Sequence, residues 1–130
     1  MDNTLSVLIV DDNPSAAISL ADVLEAKGFT TFTAISGKRA LTILEEQSVD
    51  LLLTDVIMPE MNGLELYRLT KEKHFKVDTW FMTAYAADEL IQQGMQEGIR
   101  TVLNKPLDMD LLFSFLNSLL HIKGQTGNSQ

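Results

Sequence analysis

The segment VLIVDDNP, residues 7–14, joins a short apolar run to two aspartates and then to the start of a helix. The apolar run Val7–Val10 is rich in β-branched residues, which predicts a buried strand. Asn13 followed by Pro14 is typical of a helix N-terminus, because asparagine caps the first turn and proline fits its first position. A strand that leads directly into a helix is the first half of a β–α–β unit, so the segment predicts an α/β fold.

This strand–helix unit recurs five times along the chain. Strands are predicted over Val7–Val10, Thr30–Ala34, Leu51–Thr54, Val77–Met82 and Ile99–Leu103. Apolar residues at helical spacing predict helices from Pro14 to a left-handed cap at Gly28, from Gly37 to near Ser48, over Leu64–Lys73, over Asp88–Gln96, and after Pro106. Regular alternation of this kind predicts a five-stranded parallel sheet, doubly wound by helices on both faces, with the flavodoxin-like topology.

Length and composition exclude several classes of protein. The chain has 130 residues, which suits one domain, and its 10 basic and 18 acidic residues give a net charge of −8. This charge disfavours direct nucleic-acid binding. The absence of cysteine excludes disulfides, zinc thiolates and cysteine nucleophiles. With no long apolar run and no recognisable leader, the sequence predicts a cytoplasmic protein without membrane association.

Polar and charged residues follow four of the five predicted strands. In a parallel sheet the carboxyl ends of the strands meet at one edge, and ligands bind there. The residues that the sequence brings to this edge are Asp11 and Asp12, Asp55, Thr83 with Ala84, and Lys105 with Pro106.

The chemistry of this set indicates phosphoryl transfer. Three carboxylates, those of Asp11, Asp12 and Asp55, repel one another unless a cation lies between them, and oxygen ligands of this kind suit Mg²⁺. A carboxylate is also able to act as a nucleophile, while Lys105 and Thr83 offer a positive charge and a hydroxyl to phosphoryl oxygens. Taken singly, Asp12 or Asp55 is as easily explained as a helix cap. The combination at successive strand ends favours a common site.

At four places the sequence resembles the receiver domain of two-component response regulators. The matching segments are VLIVDDN at residues 7–13, LTDVIMPEMNG at residues 53–63, MTA at residues 82–84 and NKP at residues 104–106. The resemblance extends over Val7–Ile122, and residues 53–63 are its most specific part. It implies a receiver domain over residues 1–122, followed at residues 123–130 by a polar tail or the start of a linker.

The resemblance also implies a role for each residue of the site. Asp55 would accept a phosphoryl group from the phosphohistidine of a sensor histidine kinase or phosphotransfer protein. Asp12, Asp55 and the backbone carbonyl of Ile57 would ligate Mg²⁺, and Asp11 would act mainly through a metal-bound water. Lys105 would contact the phosphoryl oxygens. Apart from its own phosphotransfer and slow dephosphorylation, such a domain is a phospho-acceptor and not an enzyme.

A conformational switch is part of the same resemblance. Thr83 would turn its hydroxyl toward the new phosphoryl group, and the loop with Ala84 would rearrange. The surface of the fourth helix, fifth strand and fifth helix would then change, which would serve an unknown output domain or target protein, or a dimer. Pro106 would follow a cis peptide that aims the lysine side chain.

The sequence departs from the family pattern at three switch positions. Val102 stands where the family usually has an aromatic residue that changes rotamer. Two interpretations of Tyr85 stay open: it substitutes for that aromatic residue, or it merely covers part of the pocket. Ile57 and Tyr85 also occupy two positions that influence the lifetime of the phosphate. Because both are bulky and neither is able to orient an attacking water, slow self-dephosphorylation is predicted.

Other functions fit the sequence less well. A flavodoxin-like electron carrier needs a glycine- and hydroxyl-rich phosphate loop after the first strand, and a Rossmann enzyme needs Gly-x-Gly-x-x-Gly there. An aspartyl phosphatase needs a second acid at the position of Ile57. A receiver-like scaffold that works without phosphorylation is disfavoured by the complete acidic set. Both a stand-alone switch and the receiver of a longer regulator stay open.

Overall fold

The computed structural model describes residues 5–85 and 88–128. Its strands are β1 (Ser6–Val10), β2 (Thr30–Ala34), β3 (Leu51–Asp55), β4 (Asp78–Thr83) and β5 (Val102–Asn104). Its helices are α1 (Pro14–Ala26), α2 (Gly37–Glu46), α3 (Gly63–Glu72), α4 (Glu89–Gln96) and α5 (Met109–Asn128). All strands are parallel, in the order β2-β1-β3-β4-β5, which confirms the predicted doubly wound α/β fold.

An apolar layer covers each face of the sheet. On one face, side chains of β1 and β3 pack with α1 and α5; this layer includes Val7, Ile9, Leu51, Leu53, Leu24, Leu112 and Leu116. On the other face, alternate residues of the same strands pack with α2 and α3, and those of β4 pack with α4; this layer includes Leu8, Val10, Leu52, Leu66, Phe81 and Ile91. Because β1 and β3 are buried on both faces, they contain the uninterrupted apolar runs Val7–Val10 and Leu51–Leu53.

The fifth strand lies later in the chain than predicted. The sequence indicated Ile99–Leu103, whereas β5 begins at Val102. Ile99 is buried and packs in the layer around Phe81, but its N–H donates to the carbonyl of Gly94 at the end of α4. Its apolar character therefore comes from packing at a helix terminus and not from a strand.

Local signals set the helix ends. The Asn13 side chain accepts a hydrogen bond from the N–H of Ala16, and Pro14 occupies the first turn of α1, as predicted. Gly28, with a φ of +96°, has the predicted left-handed conformation just after this helix. Helix α5 continues to Asn128, so most of the predicted polar tail is helical. Among the described residues, none of the helices has both the length and the apolar character of a membrane span.

We expect Leu53→Ala to destabilise the protein by about 2–5 kcal/mol, because Leu53 is fully buried at the centre of the sheet and its truncation leaves a cavity. Ile18→Ala is the control, since Ile18 is exposed and its truncation should change the free energy of unfolding by no more than about 0.5 kcal/mol. Urea unfolding followed by far-ultraviolet circular dichroism measures both. Equal effects of the two substitutions would contradict this description of the core.

Candidate functional site

Three aspartates meet at the carboxyl edge of the sheet, as the sequence predicts. Asp55 is the last residue of β3, and Asp11 and Asp12 directly follow β1, the strand beside it. One carboxylate oxygen from each of the three lies within 4.8 Å of the others. Asp11 and Asp55 are buried, whereas Asp12 is exposed. The edge therefore combines two carboxylates enclosed by the protein with one that faces solvent.

Lys105 joins the two buried carboxylates. Its Nζ lies 2.8 Å from Oδ2 of Asp11 and 2.9 Å from Oδ2 of Asp55. Its backbone N–H donates to the carbonyl of Thr83 at 2.8 Å, so the segment after β5 is tied to the end of β4. The peptide bond between Lys105 and Pro106 is cis, as expected. One ammonium group thus bridges the ends of two strands.

Asn13 also contributes to the site. Its N–H donates to Oδ1 of Asp11 at 2.9 Å, and its own side chain caps α1. The sequence identified Asn13 only as a helix cap. An aspartate two residues before a helix-capping asparagine is the signal that could have indicated the second contact. Because Asn13 caps α1 and Asn62 caps α3, the alternative that Asp12 and Asp55 are themselves helix caps is wrong.

The electrostatic surroundings separate the two buried acids. The pKa of Asp55 is raised to about 6, mainly by burial and also by the neighbouring Asp11, and Lys105 opposes both effects without cancelling them. The pKa of Asp11 is instead lowered: burial raises it, but the hydrogen bonds from Lys105 and from the N–H of Asn13 outweigh the burial. The two carboxylates also raise the pKa of Lys105 against the effect of its burial. Asp55 is therefore the acid whose charge is least compensated.

The donor set fits a hard divalent cation. Burying two carboxylates beside a third, with one lysine between them, leaves net negative charge in a partly dry site. Oxygen donors with one solvent-facing member suit an ion that keeps part of its water shell. The carboxylates of Asp11, Asp12 and Asp55 could hold such an ion. The side chain of Ile57, two residues after Asp55, is exposed at the rim.

Thr83 lies beside this cluster at the end of β4. It belongs to the strand and is almost completely buried, although the prediction ended the strand at Met82. Its hydroxyl oxygen accepts a hydrogen bond from the N–H of Tyr85 at 2.9 Å. Ala84 is exposed, and the Tyr85 side chain is 66% exposed, so its ring does not close the site. The tight turn leaves the hydroxyl proton of Thr83 available for a further acceptor.

The remaining predicted residues lie near the edge in different surroundings. Val102, in β5, is half-buried and packs against the apolar layer around Phe81. Pro106 lines a cavity of about 350 Å³ next to the site, together with Asp11, Lys105 and apolar residues of α1. Val102 therefore belongs to the apolar layer, whereas Pro106 borders the acidic cluster.

Known proteins share this sequence pattern and fold. The sequence model of the response regulator receiver domain matches residues 7–117. Sensor protein EvgS of Escherichia coli (strain K12) is 37% identical over 115 residues, which are 88% of this chain and 10% of EvgS. Sporulation initiation phosphotransferase F of Bacillus subtilis (strain 168) is 33% identical over 117 residues, which are 90% of this chain and 94% of that protein. The receiver domain of the Francisella response regulator 1452 has a TM-score of 0.83 at 25% identity, with 92% of this chain and 99% of that chain covered.

These similarities cover the acidic edge as well as the sheet, because residues 7–117 include every residue from Asp11 to Pro106 that forms it. The chain spans about a tenth of the length of EvgS but nearly all of the Bacillus phosphotransferase. With a matching family model over most of its length, this chain belongs to the response regulator receiver domain family.

Proposed function

We propose that this protein is a signalling switch that Asp55 turns on by accepting a phosphoryl group from a phosphohistidine. The observation that carries the proposal is the bridge from Lys105 to Asp11 and Asp55, with Asp12 within 4.8 Å. This arrangement brings a nucleophile, a cation for phosphoryl oxygens and an acidic cluster together at the edge where a parallel sheet binds ligands.

In the proposed reaction an ionised Oδ of Asp55 attacks the phosphorus, the N–P bond of the phosphohistidine breaks, and the released imidazole takes up a proton from solvent. With a pKa of about 6, Asp55 is mostly ionised at neutral pH and hence able to attack. Lys105, which contacts the attacking carboxylate, would neutralise charge on the transferred group. Asp11 would stay ionised and keep the lysine in place.

The proposed cofactor is Mg²⁺, held by Asp12, Asp55 and the backbone carbonyl of Ile57, with Asp11 acting through a bound water. When bound, Mg²⁺ supplies charge neutralisation for the carboxylates and the phosphoryl oxygens. Asp12 supports this assignment because it is exposed and has a carboxylate oxygen within 4.8 Å of those of the buried pair. Among the described residues, the ammonium group of Lys105 is the one cation that pairs with this cluster, and it reaches Asp11 and Asp55.

The proposed switch begins at Thr83. A phosphoryl group on Asp55 would offer new hydrogen-bond acceptors to the hydroxyl of Thr83. The backbone N–H of Tyr85 would move with that hydroxyl, because it donates a hydrogen bond to the same oxygen. The turn at Ala84 and Tyr85 leads toward α4, so its displacement would reach the surface formed by α4, β5 and α5. Val102 is half-buried and not aromatic, and the Tyr85 ring is already exposed. Neither side chain is therefore a buried ring that could change its exposure when Thr83 moves.

The proposed partners follow from the same chemistry. A sensor histidine kinase or phosphotransfer protein would supply the phosphoryl group, and an output domain or target protein, or a second copy of the chain, would read the altered surface. We propose a cytoplasmic protein whose receiver unit covers residues 1–122, either alone or within a longer regulator. The domain would be a phospho-acceptor that catalyses only its own phosphotransfer and dephosphorylation.

The direct test is incubation with phosphoramidate, with and without Mg²⁺, followed by intact-mass measurement. We expect one added phosphoryl group that requires Mg²⁺ and is absent from Asp55→Asn, because the amide is not a nucleophile. Asp50→Asn is the control, since Asp50 lies at the opposite end of β3 and should label like the wild type. Labelling without Mg²⁺, or equal labelling of Asp55→Asn, would overturn the assigned site.

The metal-free protein should lose stability as the pH rises. Asp55 has a folded-state pKa of about 6 against 3.8 when unfolded, so the folded state binds the proton more tightly. The stability that this proton contributes is lost as the pH rises from about 3.8 through about 6. From about pH 5 to about pH 7.5 the free energy of unfolding should fall by roughly 1 kcal/mol more than that of Asp55→Asn. Urea titrations in EDTA measure the difference. Parallel pH profiles for the two proteins would show that the surroundings do not disfavour the ionised form of Asp55.

We expect the aspartyl phosphate to be long-lived, because Ile57 and Tyr85 both stand exposed at the rim as bulky side chains without a group that orients water. The double variant Ile57→Asn, Tyr85→Glu should shorten the half-life by about tenfold or more, since a positioned polar group typically contributes at least that much to catalysis. Loss of the label after removal of the phosphodonor gives the half-life. An unchanged or longer half-life in the variant would count against the prediction.

A further inference from the structure

The backbone carbonyl of Asp55 has two close neighbours. The hydroxyl of Thr54, a fully buried residue, donates to the Asp55 carbonyl oxygen at 2.9 Å. The second neighbour is Gly63, the first residue of α3. A Cβ atom on Gly63 would stand 2.5 Å from the Asp55 carbonyl oxygen and 3.0 Å from the Cα of Val56. Only glycine leaves room for this approach.

The start of α3 is held in place by its own hydrogen bonds. The Asn62 side chain accepts from the N–H of Glu65 at 2.8 Å, and the Glu65 carboxylate accepts from the N–H of Asn62 at 2.9 Å. This reciprocal capping box defines the first turn of the helix. The N–H of Gly63 also donates to the carbonyl of Val56 at 2.8 Å, which ties the helix to the chain just after Asp55.

The strand side is held as firmly. Strand β3 is paired with β1 on one side and with β4 on the other, with Asp55 opposite Met82. Val56 is fully buried, and its N–H donates to the carbonyl of Met82 at 3.2 Å. An added methyl group at Gly63 would therefore press on backbone atoms, and the peptide of Asp55 lies directly between the two fixed elements.

We propose that Gly63 and Thr54 are positioning residues for the phospho-acceptor: by holding the Asp55 carbonyl between them, they set where its carboxylate stands relative to Lys105 and the metal. The inference rests on the proposed function and goes beyond it, because neither residue contacts the reacting atoms. Displacement of the Asp55 peptide by a few tenths of an ångström changes the spacing of the carboxylates, on which both metal binding and attack depend.

The experiment compares two glycines at the same helical position. Gly63 begins α3 and Gly37 begins α2, so alanine affects helix propensity similarly at both. A Cβ on Gly37 would meet the Sδ of Met61 at 2.5 Å, and a methionine side chain is able to move aside. The Mg²⁺ dissociation constant is measured by calorimetry with the metal alone. The initial labelling rate with phosphoramidate and the thermal unfolding midpoint are measured in parallel.

Gly63→Ala should raise the Mg²⁺ dissociation constant and lower the labelling rate by about tenfold or more, as expected for a misplaced reacting group. Gly37→Ala should stay within about twofold of the wild type in both measurements. Thr54→Val, which frees the carbonyl without adding volume, should weaken Mg²⁺ binding by about threefold or more, in line with the loss of one hydrogen bond.

A wild-type Mg²⁺ affinity and labelling rate in Gly63→Ala would overturn the proposal. This holds even if the variant unfolds at a lower temperature, because the added methyl group would then have displaced the helix and not the Asp55 peptide. If Gly63→Ala does not fold, the Mg²⁺ dissociation constant of Thr54→Val tests the proposal instead. A wild-type Mg²⁺ affinity in that variant overturns it. Absence of label on the wild-type protein would instead refute the proposed function, and the Mg²⁺ dissociation constants would still test the positioning role.

Discussion

One ammonium group shared by two buried carboxylates is the interaction on which this structure depends. Lys105 comes from the segment after β5, whereas Asp11 directly follows β1 and Asp55 ends β3, so the contact spans the carboxyl edge of the sheet. Two acids and one cation leave the cluster negatively charged, and the pKa of Asp55 is raised first by its burial and then by the neighbouring Asp11. The reactivity proposed for Asp55 and the loss of stability expected at high pH without metal thus have the same origin, a buried and incompletely neutralised carboxylate.

The rest of the fold keeps that cluster in place by ordinary means. Asparagines cap both helices that begin next to the site. The aspartates therefore do not serve as helix caps, and their carboxylates can contact Lys105 and a metal ion at the edge of the sheet. The strands that carry the acids are buried on both faces, which removes freedom from the backbone beneath them. A sheet with a largely apolar interior and acidic residues where two of its strands end is an efficient way to hold like charges together.

The alternation of apolar runs and helical spacing was sufficient to predict the topology and, from the strand ends, the acidic cluster. Ile99 shows where such reasoning fails: an apolar residue before a strand has the same pattern whether it pairs in the sheet or packs on a helix end. Contacts within the segments that follow β3 and β4 could not be predicted from the pattern either. The approach of Gly63 to the Asp55 carbonyl and the bond from Tyr85 to Thr83 depend on geometry that spacing does not encode.

The anchoring of α4 bears on how a signal could leave the site without an aromatic residue at Val102. At its far end, the carbonyl of Glu97 accepts hydrogen bonds from the Tyr67 hydroxyl at 3.0 Å and from Nζ of Lys71 at 2.9 Å, so α3 holds that end. In its middle, Gly94 lies against the ring of Phe81, which is two residues before Thr83 on the same face of β4. In the proposed switch, a helix fixed at its C-terminus and packed on the strand that ends in Thr83 would connect the site to the surface, and rotation of a separate ring would not be required for mechanical coupling.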